Sequence, residues 1–262
     1  MFSYKNKLYT KAELIQTLQK LGICEGDMVY MHSEVFNFGV IKSSPKHFLQ
    51  NILEAFDEVL GSKGTLVMPT FTYSFCDNKI YNKNNSKCTV GALNEYFRNK
   101  DGVYRTNDPI FSFAIKGSKE KLFHKDSQSC FGKDSVYDIL TYNNTKVILF
   151  GGLHLGFTYF HYIEEMANIS YRYHKTFKGT MIDEQGISHL KQIQYFVRDL
   201  DKITIINQEK VFDFLKQNHL IKIEKFGGAE IVSFDLKTIY DTLFNQIKLN
   251  EDFLLFKDSH AS

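Results

Sequence analysis

The chain has 262 residues, of which 43% are hydrophobic, and its 32 Lys and Arg against 30 Asp and Glu leave a net charge of +2. That composition supports a sizeable core and holds no like-charge run of the kind that binds nucleic acid or an acidic membrane surface. Four cysteines at 24, 76, 88 and 130, without a C-x-x-C pair, speak against a zinc or disulfide framework, and no apolar stretch reaches bilayer length. A cytoplasmic protein with a single domain over residues 1–262 is expected, with no nucleic-acid and no membrane partner.

Thr10-Lys-Ala-Glu13 reads as a capping box opening a helix with Leu14, Leu18 and Leu21 on one face, stopped at Gly22. Gly26-Asp27 turns the chain into a strand at 28–31 that ends at His32-Ser33. After a loop, Pro45 suits the first turn of a helix whose apolar face is Phe48, Ile52, Ala55, Phe56 and Val59. Gly61 and Gly64 bracket the turn into a strand at 65–68 closed by Pro69. Strand, helix and strand thus follow with connections short enough for a right-handed parallel unit. Residues 71–87, aromatic and Asn-rich, read as a long loop over the site.

A helix at 89–98, an extended run at 110–115 and a short helix at 134–140 precede a buried strand at 147–150, bounded by Gly151 and Gly152. Thr158 is the expected N-cap of the next helix. Alternation at 176–181 and 190–197 around Asp183-Glu-Gln-Gly186 signals a hairpin. A helix near 208–217, a strand at 222–226, Gly227-Gly228 and a last helix near 236–249 complete an α/β architecture with a mixed central sheet.

Ligands of open α/β sheets bind beyond the carboxyl ends of strands. Three such ends carry polar groups: His32-Ser33, Pro69-Thr70, and Gly151-Gly152 leading to His161. His161 stands three residues before Glu164 and four before Glu165, so either carboxylate can sit beside the imidazole on one helix face. That arrangement suits a general base, although the spacing by itself favours a core histidine or a solvated ion pair. Ser33 with the amides after it, or the helix start at Pro45, can hold a phosphate; the plain alternative for Ser33 is a strand-end turn. Neither a P-loop nor a dinucleotide fingerprint is present.

Five blocks then occur in series: GDMVYMHSEVFNFG from Gly26, GTLVMPTFTYSF from Gly64, YRTNDPIFSFAIKG from Tyr104, FGKDSVYDIL from Phe131 and ILFGGLHLGFTYFHYIEEMANISYR from Ile148. Together they resemble the aminoglycoside 3-N-acetyltransferase family, from about Thr10 to Asp199. The resemblance implies that family's α/β fold, distinct from the common acetyltransferase fold. It also implies transfer of an acetyl or other short acyl group from acetyl-CoA or another acyl-CoA to an amine of an amino sugar, without a metal. His161 matches the family's base and Glu164 the acid three residues later, while Asp199, in YFVRD, falls where the family places an acid near the acceptor amine. His32, Ser33, Gly39, Thr70 and Ser112 fall on blocks that line the coenzyme A cleft. Glu34, Phe71, Tyr73, Asp108 and Arg198 are expected on the acceptor side. Three departures from the family pattern bear on the acceptor and the phosphate contacts: Glu34 for a second Ser, Ser43-Ser44 for Gly-Gly, and Asp108-Pro109 for His-Pro.

On this reading His161 deprotonates the acceptor amine, Glu164 or Asp199 orients it or holds the amine, and amides near Thr70 or Gly152 stabilise the oxyanion. Direct attack in a ternary complex is expected, because no cysteine occupies a key position of the blocks. The slightly basic balance, with Lys42, Lys46, Arg105 and Arg198 near the site segments, suits an anionic nucleotide-linked amino sugar of surface polysaccharide. The alternative is acetylation of aminoglycosides, conferring antibiotic resistance. Other classes are a metal-dependent hydrolase drawing ligands from His154, His161, Glu165 and His174, a Cys76 nucleophile paired with His161, and a non-catalytic sugar-binding protein. The expected partners are the amino sugar and acyl-CoA, and a homodimer is possible.

Overall fold

The computed structural model of the chain describes residues 1–202 and 204–256. Strands β1 (Phe2–Tyr4) and β2 (Lys7–Tyr9) form a hairpin through Lys5 and Asn6, both at positive φ. Helix α1 (Lys11–Lys20) starts with the expected capping box: the Thr10 hydroxyl accepts from the Glu13 amide, and the Glu13 carboxylate accepts from the Thr10 amide. Strand β3 (Met28–Ser33) is followed by the short β4 (Val40–Ile41), which pairs with β1. Helix α2 (Pro45–Leu60) has Ser44 as N-cap and Pro45 in its first turn, and leads into β5 (Thr65–Pro69). Next come β6 (Tyr81–Asn82), α3 (Ala92–Arg98), β7 (Tyr104–Arg105) and β8 (Phe113–Gly117). Then follow α4 (Val136–Thr141), β9 (Thr145–Phe150) and α5 (Phe160–Ala167). The long strands β10 (Arg172–Ile182) and β11 (Ser188–Arg198) precede α6 (Gln208–Gln217), β12 (Lys222–Phe226), β13 (Ala229–Asp235) and α7 (Leu236–Leu249).

A seven-stranded sheet in the order β12-β13-β9-β3-β5-β8-β7 is the frame. Its centre is parallel, with β3 between β9 and β5, and its flanks are antiparallel, which is the expected mixed sheet. The central strands are buried on both faces, and alternation sends their side chains to two separate cores. Val29 and Met31 of β3 and Ile148 and Phe150 of β9 pack with α1, α2 and α3. Met28, Tyr30, Val147 and Leu149 pack with α4, α5, α6 and α7. Helix α5 ends at Asn168 in the left-handed conformation, whose amide closes onto the carbonyls of Glu164 and Glu165. Four residues later β10 begins, so the helix carrying His161 is tied closely to the β10–β11 hairpin.

Several expectations shift. The extended run at 110–115 is half turn, because the Asp108 carboxylate accepts from the amides of Ile110 and Phe111 and holds them out of the sheet. The hairpin pairs over eleven residues per strand, from Arg172↔Arg198 to Ile182↔Ser188, beyond the alternating segments that announced it. Strand β13 and the small β2-β1-β4 sheet were not anticipated. All four cysteines are free thiols, and among the described residues no helix is long and apolar enough to cross a membrane.

Candidate active site

The turn after β9 runs through a 3-10 segment at Leu153–Leu155 into α5, whose N-cap is Tyr159 rather than Thr158 and makes no side-chain cap bond. His161 lies in the first turn of this helix, and one turn on, Glu164 points the same way. Nδ1 of His161 is 2.7 Å from Oε2 of Glu164. The Glu164 side chain has 0% exposure, and it is held from two further directions. The Tyr171 hydroxyl donates to Oε1 at 3.0 Å, and Nε of Arg172 lies 2.8 Å from Oε2 as a charge contact whose N–H is not aimed at the oxygen. Burial pushes the Glu164 carboxyl up, but the His161 hydrogen bond and charge, Arg172 and Tyr171 together hold it below the ordinary carboxylate range.

His161 opens onto a pocket of about 590 Å³, a volume suited to a small ligand. Its floor is the hairpin: Tyr173, Lys175 and Phe177 of β10 stand on one face, beside Tyr195 and Val197 of β11. Arg198 lines it at the end of β11. The arrangement brings together a histidine with a fixed ring, aromatic surface and several cations.

The remaining expected residues sit elsewhere. Asp199 does not line this pocket; its carboxylate accepts from the Asp201 amide and pairs with Lys202, so Glu164 is the acid that orients His161. Glu165 faces away, accepting from Ser129 and pairing with His174. Thr70 and Ser112 are fully buried, joined to each other and to the Arg105 guanidinium, and the Thr70 amide is spent on the Ser112 carbonyl at 2.7 Å. Thr70 therefore offers neither a hydroxyl to a cofactor nor an amide to an oxyanion, and Ser112 offers no free hydroxyl. Arg105 itself is buried in this knot, its guanidinium donating to the carbonyls of Thr70, Lys83 and Ser86.

His32 is buried beside Tyr30 and Phe157, with Nε2 2.5 Å from the Tyr30 hydroxyl, and burial pushes it down to about 3. Ser33 donates to Asn94 on α3 at 2.6 Å. Gly39 is glycine because a Cβ there would fall 2.4 Å from the Ser3 carbonyl of β1, at φ 152. Glu34 caps the turn at Phe36 through that residue's amide. Phe71 is buried, and Tyr73 packs on Phe71 and Phe111. Phe111 in turn lies 5.0 Å from the Tyr195 ring, so the aromatic loop braces the pocket from behind rather than lining it. Asp108 shapes the 108–111 turn, and burial raises its carboxyl.

The proposed metal ligands do not converge. His154 contacts Asn37 on a second pocket with Gly152, Lys225 and Glu230, whereas His161 and Glu165 keep separate partners. Among the described residues no group of three or more His, Cys, Asp or Glu is placed to hold a metal ion. Cys76 is raised to about 11 by burial and nearby acids, and so is a thiol at neutral pH. Arg172, Tyr171 and Lys175 carried no assigned role in the sequence. Tyr171 and Arg172 close the fifth family block, and Lys175 stands just ahead of the expected strand at 176–181.

The family model described as aminoglycoside 3-N-acetyltransferase matches residues 30–248. The chain belongs to the aminoglycoside 3-N-acetyltransferase family. It is a CoA-dependent N-acetyltransferase, and acetyl-CoA is its co-substrate. Over 88% of this chain and 90% of the relative, it is 25% identical to the SPbeta prophage-derived aminoglycoside N(3')-acetyltransferase-like protein YokD of Bacillus subtilis (strain 168). It is 28% identical to aminoglycoside N(3)-acetyltransferase IV of a Salmonella species, over 62% of this chain and 61% of that one. In fold it is similar to the apoenzyme of aminoglycoside acetyltransferase AAC(3)-IVa, with a TM-score of 0.80 and 22% identity over 98% of this chain and 95% of that chain. A structure of AAC-IIIb in a binary complex with CoASH superposes with a TM-score of 0.78 at 19% identity, over 94% of this chain and 98% of that chain. The family's fold is thus the fold of this chain.

Proposed function

We propose that the protein transfers the acetyl group of acetyl-CoA to an amine of an aminoglycoside acceptor bound in the His161 pocket. The His161–Glu164 pair carries this reading. An alkyl amine is mostly protonated at neutral pH and attacks a thioester only after losing its proton. A carboxylate only accepts, so Nδ1 of His161 carries the hydrogen and Nε2 keeps a lone pair for the amine proton. Glu164, held by Tyr171 and Arg172, steadies the imidazolium that results. The amine nitrogen then bonds to the thioester carbonyl carbon, the carbon–sulfur bond breaks, and the departing thiolate takes back a proton.

Direct attack is preferred to an acyl-enzyme because both cysteines nearest the aromatic loop and the pocket, Cys76 and Cys130, are held as thiols by burial. The names of the relatives support an aminoglycoside acceptor, and they lend nothing to the nucleotide-linked amino sugar that net charge suggested. The same reading takes the chain as one domain working in the cytoplasm.

The test is acetyl transfer, followed as thiol release, with deoxystreptamine aminoglycosides and with nucleotide-linked amino sugars, for the wild type and His161→Ala. Drug acetylation that His161→Ala loses supports the reading. Turnover with nucleotide-linked sugars alone replaces the acceptor, and undiminished turnover in His161→Ala removes the histidine from the chemistry.

A further inference from the structure

The pocket beside His161 has an uncompensated charge. Among the described residues that line it there are Arg172, Lys175 and Arg198, and no Asp or Glu. Arg172 is balanced by the buried Glu164. Lys175 and Arg198 make no ion pair with any described residue; Lys175 has only the Phe177 ring, 5.1 Å away. The ladder sharpens the imbalance, because Arg172 and Arg198 are direct cross-strand partners. Like charges placed opposite one another destabilise a strand pair, and a cleft walled by one sign of charge concentrates the opposite sign.

Two acids near the pocket residues in sequence are engaged elsewhere: Glu165 with His174 and Ser129, and Asp199 with Lys202. The hairpin's alternation fixes Lys175 on the pocket face between Tyr173 and Phe177, so its charge belongs to the floor. A guanidinium and an ammonium flanking one concavity suit the oxygens of a phosphate or carboxylate.

We propose that Lys175 and Arg198 form an anion subsite in the His161 pocket, which takes a phosphate or carboxylate of a bound ligand. The acid group has two sources: the phosphates of the acyl donor, or an acidic substituent on the acceptor. The inference rests on the His161 pocket being the reaction site, but its test reads binding rather than turnover, so its failure is separate from that of the His161 assignment.

The experiment is calorimetric titration of the full chain and of the double variant Lys175→Gln/Arg198→Gln with two ligand pairs. CoA is compared with pantetheine, which lacks its phosphates, and glucosamine 6-phosphate is compared with glucosamine. The double variant is expected to lose about tenfold of the preference for the phosphorylated member of one pair, with the unphosphorylated member unaffected. Loss in the CoA pair assigns the subsite to the donor, and loss in the sugar pair assigns it to the acceptor. A preference that survives intact in the double variant, or its absence from both pairs in the wild type, overturns the proposal. Both substituted side chains are exposed, so the fold is expected to persist, and unchanged binding of the unphosphorylated members checks that it does.

Discussion

Nδ1 of His161 lies 2.7 Å from Oε2 of Glu164, and that carboxylate has no exposed surface. The pair fixes which ring nitrogen is free, and a buried partner keeps it fixed without competition from water. Replacing His161 by Ala is expected to lower kcat by about 10²- to 10⁴-fold while leaving the KM for acetyl-CoA nearly unchanged. Steady-state kinetics at saturating acceptor checks this.

Glu164 also neutralises Arg172, which is 8% exposed. Glu164→Gln is expected to destabilise the fold by about 3–5 kcal/mol by leaving a buried cation unpaired, and Glu164→Gln/Arg172→Met to recover part of that loss. Denaturant midpoints at pH 7 measure both. The depressed carboxyl gives this contribution its pH window: it is present above the ordinary value of 4.5 and is lost as pH falls through the lower native value.

His32 sets a second acid dependence. Burial holds it down to about 3, against 6.5 when unfolded, so between these values the unfolded chain binds a proton that the folded chain refuses. Stability is therefore full above pH 6.5 and declines as pH falls towards 3, at most about 1.4 kcal/mol per pH unit from this group. His32→Gln is expected to flatten that stretch of a stability–pH curve measured by urea unfolding. An unchanged slope would show that His32 is not its source.

Ser112 is joined to Thr70 and Arg105 in a fully buried knot. Ser112→Ala is expected to cost about 1–3 kcal/mol of stability by leaving these partners short of a hydrogen bond, with no rise in the KM for acetyl-CoA. A raised KM with unchanged stability would return Ser112 to the cofactor cleft.

What the sequence made legible followed from local chemistry. Strand β3 is a short apolar run entered from Gly26-Asp27 and β9 one closed by Gly151-Gly152, and α6 was anticipated over the residues it occupies, Gln208–Gln217. Helix spacing put His161 beside either Glu164 or Glu165, and the family resemblance singled out Glu164. Arg172 was not legible: it reaches Glu164 only because Asn168 turns left-handed and folds the chain back. Thr70 stood at a strand end, and both Thr70 and Ser112 fell on family blocks of the coenzyme A cleft; only the packing of β7 shows that Arg105 claims them. The Gly227-Gly228 turn is a two-residue hairpin signal that announces β13 beside β12, and only the pairing of β13 with β9 is remote in sequence.

The β10–β11 hairpin is held at both ends. At its base Arg172 meets Glu164; near its tip Glu184 pairs with the buried Lys83 at 2.7 Å, and Met181 and Ile182 bridge to Tyr81 and Asn82. A beam clamped at both ends keeps its place when the side chains along it change. Residues 173, 175, 195 and 197 can thus be exchanged, altering the chemistry of the pocket floor, while the His161 ring and the strands beneath it stay where they are.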